Sequence, residues 1–598
     1  MTPSVHYDVR FIDPAAHHVS VTLTVQDPDP EGQIIALPAW IPGSYTIRFF
    51  ARHIRNIVAA GPDGPLTLER LDSDRWRIPP TAGPVTVTSL HYCWDLSVRT
   101  AHVDRTHAFF NGTSLFLQVL GQTEGAHSVT LHEPDDAACS AWRVATTLTR
   151  TDGQNWGFGS FSAVDYDELV DHPVECSDFD LVSFEACGVP HHVAVTGRHR
   201  GDLDRFAADL VPICEAHIKM FGEPAPYHEY LFLLTVVGDG FGGLEHRRST
   251  ALISKRSCLP LPGHPKITDD YRQLLSLCSH EYFHNWNVKR IKPAAFTPYD
   301  FSQPNHTTLL WAFEGITRYY DDQGLFRAGL TTATEWLEAL GKVMTRVRRT
   351  PGRHAMSLSD SSYDAWTKLY KHDEDSPNSL VNYYTKGALV ALALDLRLRR
   401  AGSGLDELMR RQWAAWQATG AGVAEDGVEA LAAELAGEDL SSFFDNGVRG
   451  TGDLHLTDLL AEFGVALKFR VREGKDDTGG KVGSGSAPAA SLGGHLVEKG
   501  GGAALQHAYS GGAAQAAGLS AGDIIMAWGG LKASPATVIR DLKVRAPGDV
   551  VRVHAFRRDE LIEADVTLQA PDPDTAYLEL VEEPTAGAAA LRLAWLGV

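Results

Sequence analysis

His280-Glu281-Tyr282-Phe283-His284 sets two histidines four residues apart, and on an α-helix that spacing puts both imidazoles on one face. From such a face they reach a single Zn²⁺, while Glu281 projects beside them where an ion-bound water would sit. The segment therefore commits the middle of the chain to a helix and its chemistry to metal-assisted hydrolysis. A short motif of this kind also arises by chance, so the residues around it must carry part of the argument.

The surrounding pattern is helical. Thr268-Asp269-Asp270 offers N-cap oxygens, and Leu274, Leu275, Cys278, Tyr282 and Trp286 recur with helical period, with His280 and His284 on the margin of the stripe. The competing reading is two core histidines that complete a helix face. A second helix is expected over Thr308–Tyr320, with Leu309, Leu310, Phe313, Ile316 and Tyr320 on one side and Glu314 within it. Two imidazoles and this carboxylate would leave one position of a tetrahedral zinc open, as catalysis requires.

Two more stretches suit the same chemistry. The apolar run Tyr230–Val237 reads as a buried strand able to hold a peptide main chain at its edge, and Gly240-Phe241-Gly242-Gly243-Leu244-Glu245-His246 follows it. Gly242 and Gly243 are candidate substrate-binding positions, and Glu245 falls where a carboxylate could pair with a free ammonium; a glycine-rich turn ending in a solvated acid is the alternative. Asn382-Tyr383-Tyr384-Thr385-Lys386-Gly387 opens another apolar run, where a tyrosine hydroxyl could donate to an oxyanion or a tyrosine could simply pack.

Together these residues resemble the glycyl aminopeptidase family, metallopeptidases of the thermolysin-like gluzincin group. The likeness extends to Pro38–Tyr45, Asn111–Ser114, Val170–Glu175 and His284–Arg290, and so covers most of the chain. The resemblance implies that His280, His284 and Glu314 are zinc ligands, Glu281 the general base, Glu245 the amine anchor and Tyr384 the oxyanion donor. It also implies selectivity for small first residues such as Gly or Ala. Leu244 and His246 stand where the large zinc aminopeptidases carry Met and Asn.

Composition fits a soluble multidomain enzyme: 598 residues exceed what one core organises, and 44% hydrophobic with 22% charged residues is ordinary for globular protein. A net charge of -21 argues against nucleic acid or an anionic membrane as partner. No apolar run is of membrane-spanning length. The start of the chain reads as lacking a signal peptide, and seven scattered cysteines without Cys-x-x-Cys spacing suit a reducing compartment, so a cytoplasmic location is expected.

The expected fold is multidomain α+β. Alternating stretches such as Val19–Val25 and Val85–Thr88 mark an N-terminal all-β domain over 1–172. A thermolysin-like α+β catalytic domain with a helical half occupies 173–470, and a Gly/Ser-rich linker or loop 471–502. Residues 503–598 form a β-rich module whose Ala517–Ile525 pattern resembles PDZ domains of bacterial proteases, with Gly500–Leu505 in place of the usual ligand loop. Such a groove could bind a peptide by strand addition. The expectation is thus a zinc aminopeptidase acting on peptides with a free N-terminus. The alternatives are a zinc endopeptidase with PDZ-recruited substrates and an inert PDZ-type binding protein.

Overall fold

The computed structural model describes residues 4–598, and the chain divides into two compact units. The first comprises residues 1–305, 327–330 and 413–422, and the second 306–326, 331–412 and 423–598.

In the first unit, alternation builds layered sheets. Strands Val5–Asp13, His18–Val25 and Val85–Tyr92 bury every second side chain, the period-2 pattern of a sheet with one face on a core. They lie in an eight-stranded sheet, beside two four-stranded sheets. The β layers run past the expected boundary at 172: Val174–Ser177 pairs with His107–Phe110 and with Arg143–Ala145, so it belongs to them.

A five-stranded sheet follows. Its five strands run in the order Asp180–Ala186, Val189–Thr196, Tyr230–Val237, Ser249–Lys255, Gly242–Glu245. Tyr230–Val237 forms as expected, but it lies between two parallel neighbours rather than at an edge. The edges are Asp180–Ala186 and Gly242–Glu245, the latter joined antiparallel to Ser249–Lys255. Buried hydrophobicity predicts a central strand, and strand order is not a local property of sequence.

In the second unit, helices dominate as far as residue 462. Ala333–Arg348 starts at a Thr332–Glu335 capping box, and Tyr383–Arg400 starts at Asn382, whose side chain accepts from Thr385 N–H at 3.0 Å. The expected helix Thr308–Tyr320 is instead a π-helical turn, Trp311–Gly315, that runs into an α-helix at Ile316–Arg327. The approach of Gly315 to Gly387 accompanies it: a Cβ on Gly315 would lie 2.5 Å from the Gly387 Cα.

The stretch 471–502 is not a plain linker. Gly480 N–H donates to Ala576 O at 2.8 Å, a Cβ on Gly341 would lie 2.8 Å from the Gly480 Cα, and Gly479 and Gly480 both have positive φ. These glycines permit close packing rather than flexibility. Gly494–Lys499 is the first strand of a C-terminal sheet that continues through Gly502–Ala508, Ile524–Trp528, Val550–Arg557 and Glu560–Thr567. Gly500 and Gly501, at positive φ, make the hairpin turn between its first two strands, so the expected ligand loop at Gly500–Leu505 is a turn and a strand. Thr575–Leu580 leaves this sheet and pairs with Val465–Arg470, and Trp595 of the last helix packs on Trp336 with ring centroids 5.3 Å apart. The module therefore begins before 503 and ends before 575.

Candidate active site

The histidine helix spans Asp269–Phe283. Thr268 caps it by accepting from Tyr271 N–H at 3.1 Å, and Asp269 and Asp270 lie in the first turn, where the helix dipole favours acids. Its buried face is locked by aromatic contacts. Tyr282 packs on Tyr230, with centroids 4.8 Å apart, and its hydroxyl bonds His191 Nε2 at 2.9 Å; Phe283 packs on Phe221 at 5.3 Å. With the residues between the histidines fixed in the core, His280 and His284 are turned to the other side.

There the two Nε2 atoms stand 3.1 Å apart. His284 Nδ1 lies 2.7 Å from Asn287 O, which can only accept, so Nδ1 carries the proton and Nε2 presents its lone pair toward His280. Nitrogens each about 2.0–2.1 Å from one tetrahedral ion are separated by about 3.3–3.4 Å. The spacing and the carbonyl that sets the tautomer fit a zinc ion held by both rings.

The edge strand brings a second carboxylate, Glu245, to the place where the helix sets Glu281. Glu245, Glu281 and His284 offer ligand atoms all within 4.8 Å of one another, and all three are buried. Two glycines make room for them. A Cβ on Gly243 would lie 2.1 Å from Glu281 Oε1, and a Cβ on Gly43, at φ +88°, would lie 2.5 Å from both Glu245 oxygens. Gly242 is under no such constraint, since its nearest neighbour would be Arg99 Nη1 at 3.7 Å.

Three of the stretches that carry the resemblance meet in a buried ion cluster behind Glu245. Asp171 Oδ1 lies 2.7 Å from Lys289 Nζ and 3.1 Å from His246 Nδ1, and its other oxygen accepts from Arg247 N–H at 3.1 Å. Burial opposes ionisation of Asp171, but Lys289, His246 and Arg247 overcome it and hold its carboxyl well below the usual range. His246, next to Glu245, is thereby fixed.

In the second unit, Glu314 is buried within the π-helical turn. Burial, with Tyr370 and Glu314 nearby, raises the pKa of Tyr383 well above that of an ordinary tyrosine. Tyr384 is half-buried, its ring stacked on Tyr383 at 4.8 Å and its hydroxyl 3.2 Å from that of Tyr370. Of the two tyrosines that open the helix, Tyr384 is thus the more accessible.

Sequence reasoning named the histidine helix, Glu245 and the paired tyrosines, and did not single out Gly43, Arg99, Asp171 or Tyr370, which the structure sets against them. Gly43 and Asp171 lie in stretches that carried the resemblance. Nothing local distinguishes Arg99 or Tyr370.

Residues 6–178 match the Peptidase M61 N-terminal domain and residues 273–390 the M61 glycyl aminopeptidase domain. A crystal structure of an aminopeptidase N family protein from Idiomarina loihiensis is 39% identical and superposes with a TM-score of 0.94, covering 99% of this chain and 100% of that one. An M1 zinc metallopeptidase from Deinococcus radiodurans is 11% identical with a TM-score of 0.46, over 72% of this chain and 90% of its own, too distant to bear on the site. A search of curated proteins gives no match. The chain belongs to the M61 glycyl aminopeptidase family and is a metallopeptidase.

Proposed function

We propose that the protein is a zinc-dependent aminopeptidase that removes the first residue of peptides with a free N-terminus. The reading is carried by one cluster, in which the half-buried His280 and the buried His284 converge beside Glu281 of the same helix and Glu245 at the end of an edge strand. The family resemblance makes His280, His284 and Glu314 the residues that would hold zinc, and all three fall within the stretch that matches the M61 glycyl aminopeptidase domain. When bound, the ion supplies Lewis-acid polarisation of the scissile carbonyl and acidifies water.

The protein's own groups do the rest. Glu281 takes the proton of the attacking water and delivers it to the leaving amine. The Tyr384 hydroxyl donates to the developing oxyanion. Two buried carboxylates this close repel each other, and a cation beside Glu245 relieves that repulsion. A substrate ammonium is such a cation, which places the cut one residue from the N-terminus. A preference for a small first residue such as Gly or Ala is what the sequence resemblance implies, and the family's description names only glycyl.

The C-terminal sheet we read as a PDZ-like module with an optional peptide ligand. A cytoplasmic location is supported by seven free thiols, and among the described residues no helix is long and apolar enough to cross a membrane. The decisive assay measures bound zinc, then turnover of free and N-acetylated peptides before and after chelation. Internal cleavage of acetylated peptides would instead favour an endopeptidase.

A further inference from the structure

One side chain of the N-terminal β layers reaches the free edge of Gly242–Glu245. His246 N–H donates to Ser249 O at 3.0 Å and Thr250 Oγ1 donates to Leu244 O at 3.0 Å, so the main chain of Leu244 faces the neighbouring strand. Antiparallel alternation then turns the Gly243 carbonyl outward. Arg99 Nη2 donates to that carbonyl at 3.0 Å, and its Nη1 lies 3.7 Å from where a Cβ on Gly242 would be. Arg99 is half-buried, and among the described residues no Asp or Glu pairs with it. An unpaired guanidinium beside a peptidase cleft is a site for an anion.

The order of groups along the edge identifies that anion. Glu245 comes first, and two residues away Arg99 holds the Gly243 carbonyl, with Glu281 against the side-chain face of that glycine. On the aminopeptidase reading, on which this inference rests, the ammonium sits at Glu245 and the scissile bond beside Glu281. The residue after the cut then extends toward Arg99 at Gly243. From Glu245 to Gly243 is two residues of extended strand, about 6.8 Å, which is also the reach of an extended dipeptide from ammonium to carboxylate. We infer that Arg99 receives the α-carboxylate of a dipeptide, so that free dipeptides are the preferred substrate class over amides and longer chains. The bond to Gly243 O uses one of the five guanidinium donors and orients the fork, leaving others for two parallel bonds to a carboxylate.

The test compares zinc-loaded wild type, Arg99→Gln and Arg99→Lys on Ala-Ala and Ala-Ala-amide. Wild type should favour the acid by about 10-fold or more in kcat/KM. Arg99→Gln should lose that preference through KM, with a much larger fall in kcat/KM on the acid than on the amide, and Arg99→Lys should recover part of it. Absence of a preference in wild type, or an equal fall on both substrates in Arg99→Gln, would make Arg99 only a strut for the edge strand and overturn the inference. Turnover of the amide by wild type keeps the aminopeptidase reading intact in either case. If wild type cleaves neither compound yet cuts N-acetylated peptides, that reading falls and this inference with it.

Discussion

Glu281 occupies the space that any side chain at position 243 would need, for a Cβ on Gly243 would lie 2.1 Å from Glu281 Oε1. Gly243→Ala should therefore displace the carboxylate, the movable end of a side chain, and leave the sheet intact. Activity should fall by about 10²-fold, the scale of a misplaced general base, with bound zinc and thermal stability nearly unchanged. Normal turnover in Gly243→Ala would remove Glu281 from the reaction.

The ligand set and the base should separate cleanly. His280→Ala, His284→Ala and Glu314→Ala each remove one of the three proposed zinc donors and should lose zinc and activity together. Glu281→Gln should keep zinc while turnover drops by about 10²-fold or more. Metal analysis of the four variants checks both halves, and full zinc occupancy in any ligand variant contradicts its assignment.

Tyr384→Phe removes only a hydroxyl, and its loss should appear in kcat, by about 10²-fold, with little change in KM. Tyr370→Phe removes the neighbour 3.2 Å from that hydroxyl and should give a smaller kcat defect. If Tyr370→Phe were the more severe, Tyr370 rather than Tyr384 would be the donor.

How much of this was legible in the sequence depended on range. Thr268, Thr332 and Asn382 mark their helix starts because capping is a contact over three residues. Tyr230–Val237 declares itself as a strand, yet its place inside the sheet and that of Gly242–Glu245 at the edge depend on strand order, which local pattern does not encode. Gly479 and Gly480 carry a linker's composition because composition cannot separate a flexible glycine from one pressed against a helix. Asp171, His246 and Lys289 each lie in a stretch that carried the resemblance, but their meeting in one ion cluster is a fact of the fold.

That cluster makes a stability prediction. The folded-state pKa of Asp171 lies below its unfolded value, so its contribution is present above the unfolded pKa of about 3.9 and is lost as pH falls through the folded value. At neutral pH the contribution is complete. Asp171→Asn should then destabilise the protein by about 3–5 kcal/mol, because Lys289 is left buried without its counter-charge. Denaturant unfolding at pH 7 measures this, and a change under about 1 kcal/mol would contradict the buried pairing.

The central claim is that Glu245 holds the substrate ammonium and so makes the enzyme an aminopeptidase. Its most direct test is kcat/KM of wild type and Glu245→Ala, both zinc-loaded, on Ala-Ala-amide and N-acetyl-Ala-Ala-amide. The account predicts a loss of about 10²-fold or more for the free amine in Glu245→Ala, poor wild-type turnover of the acetylated peptide, and little further loss of it in the variant. Efficient cleavage of the acetylated peptide by wild type, or equal losses on both substrates in the variant, would contradict it.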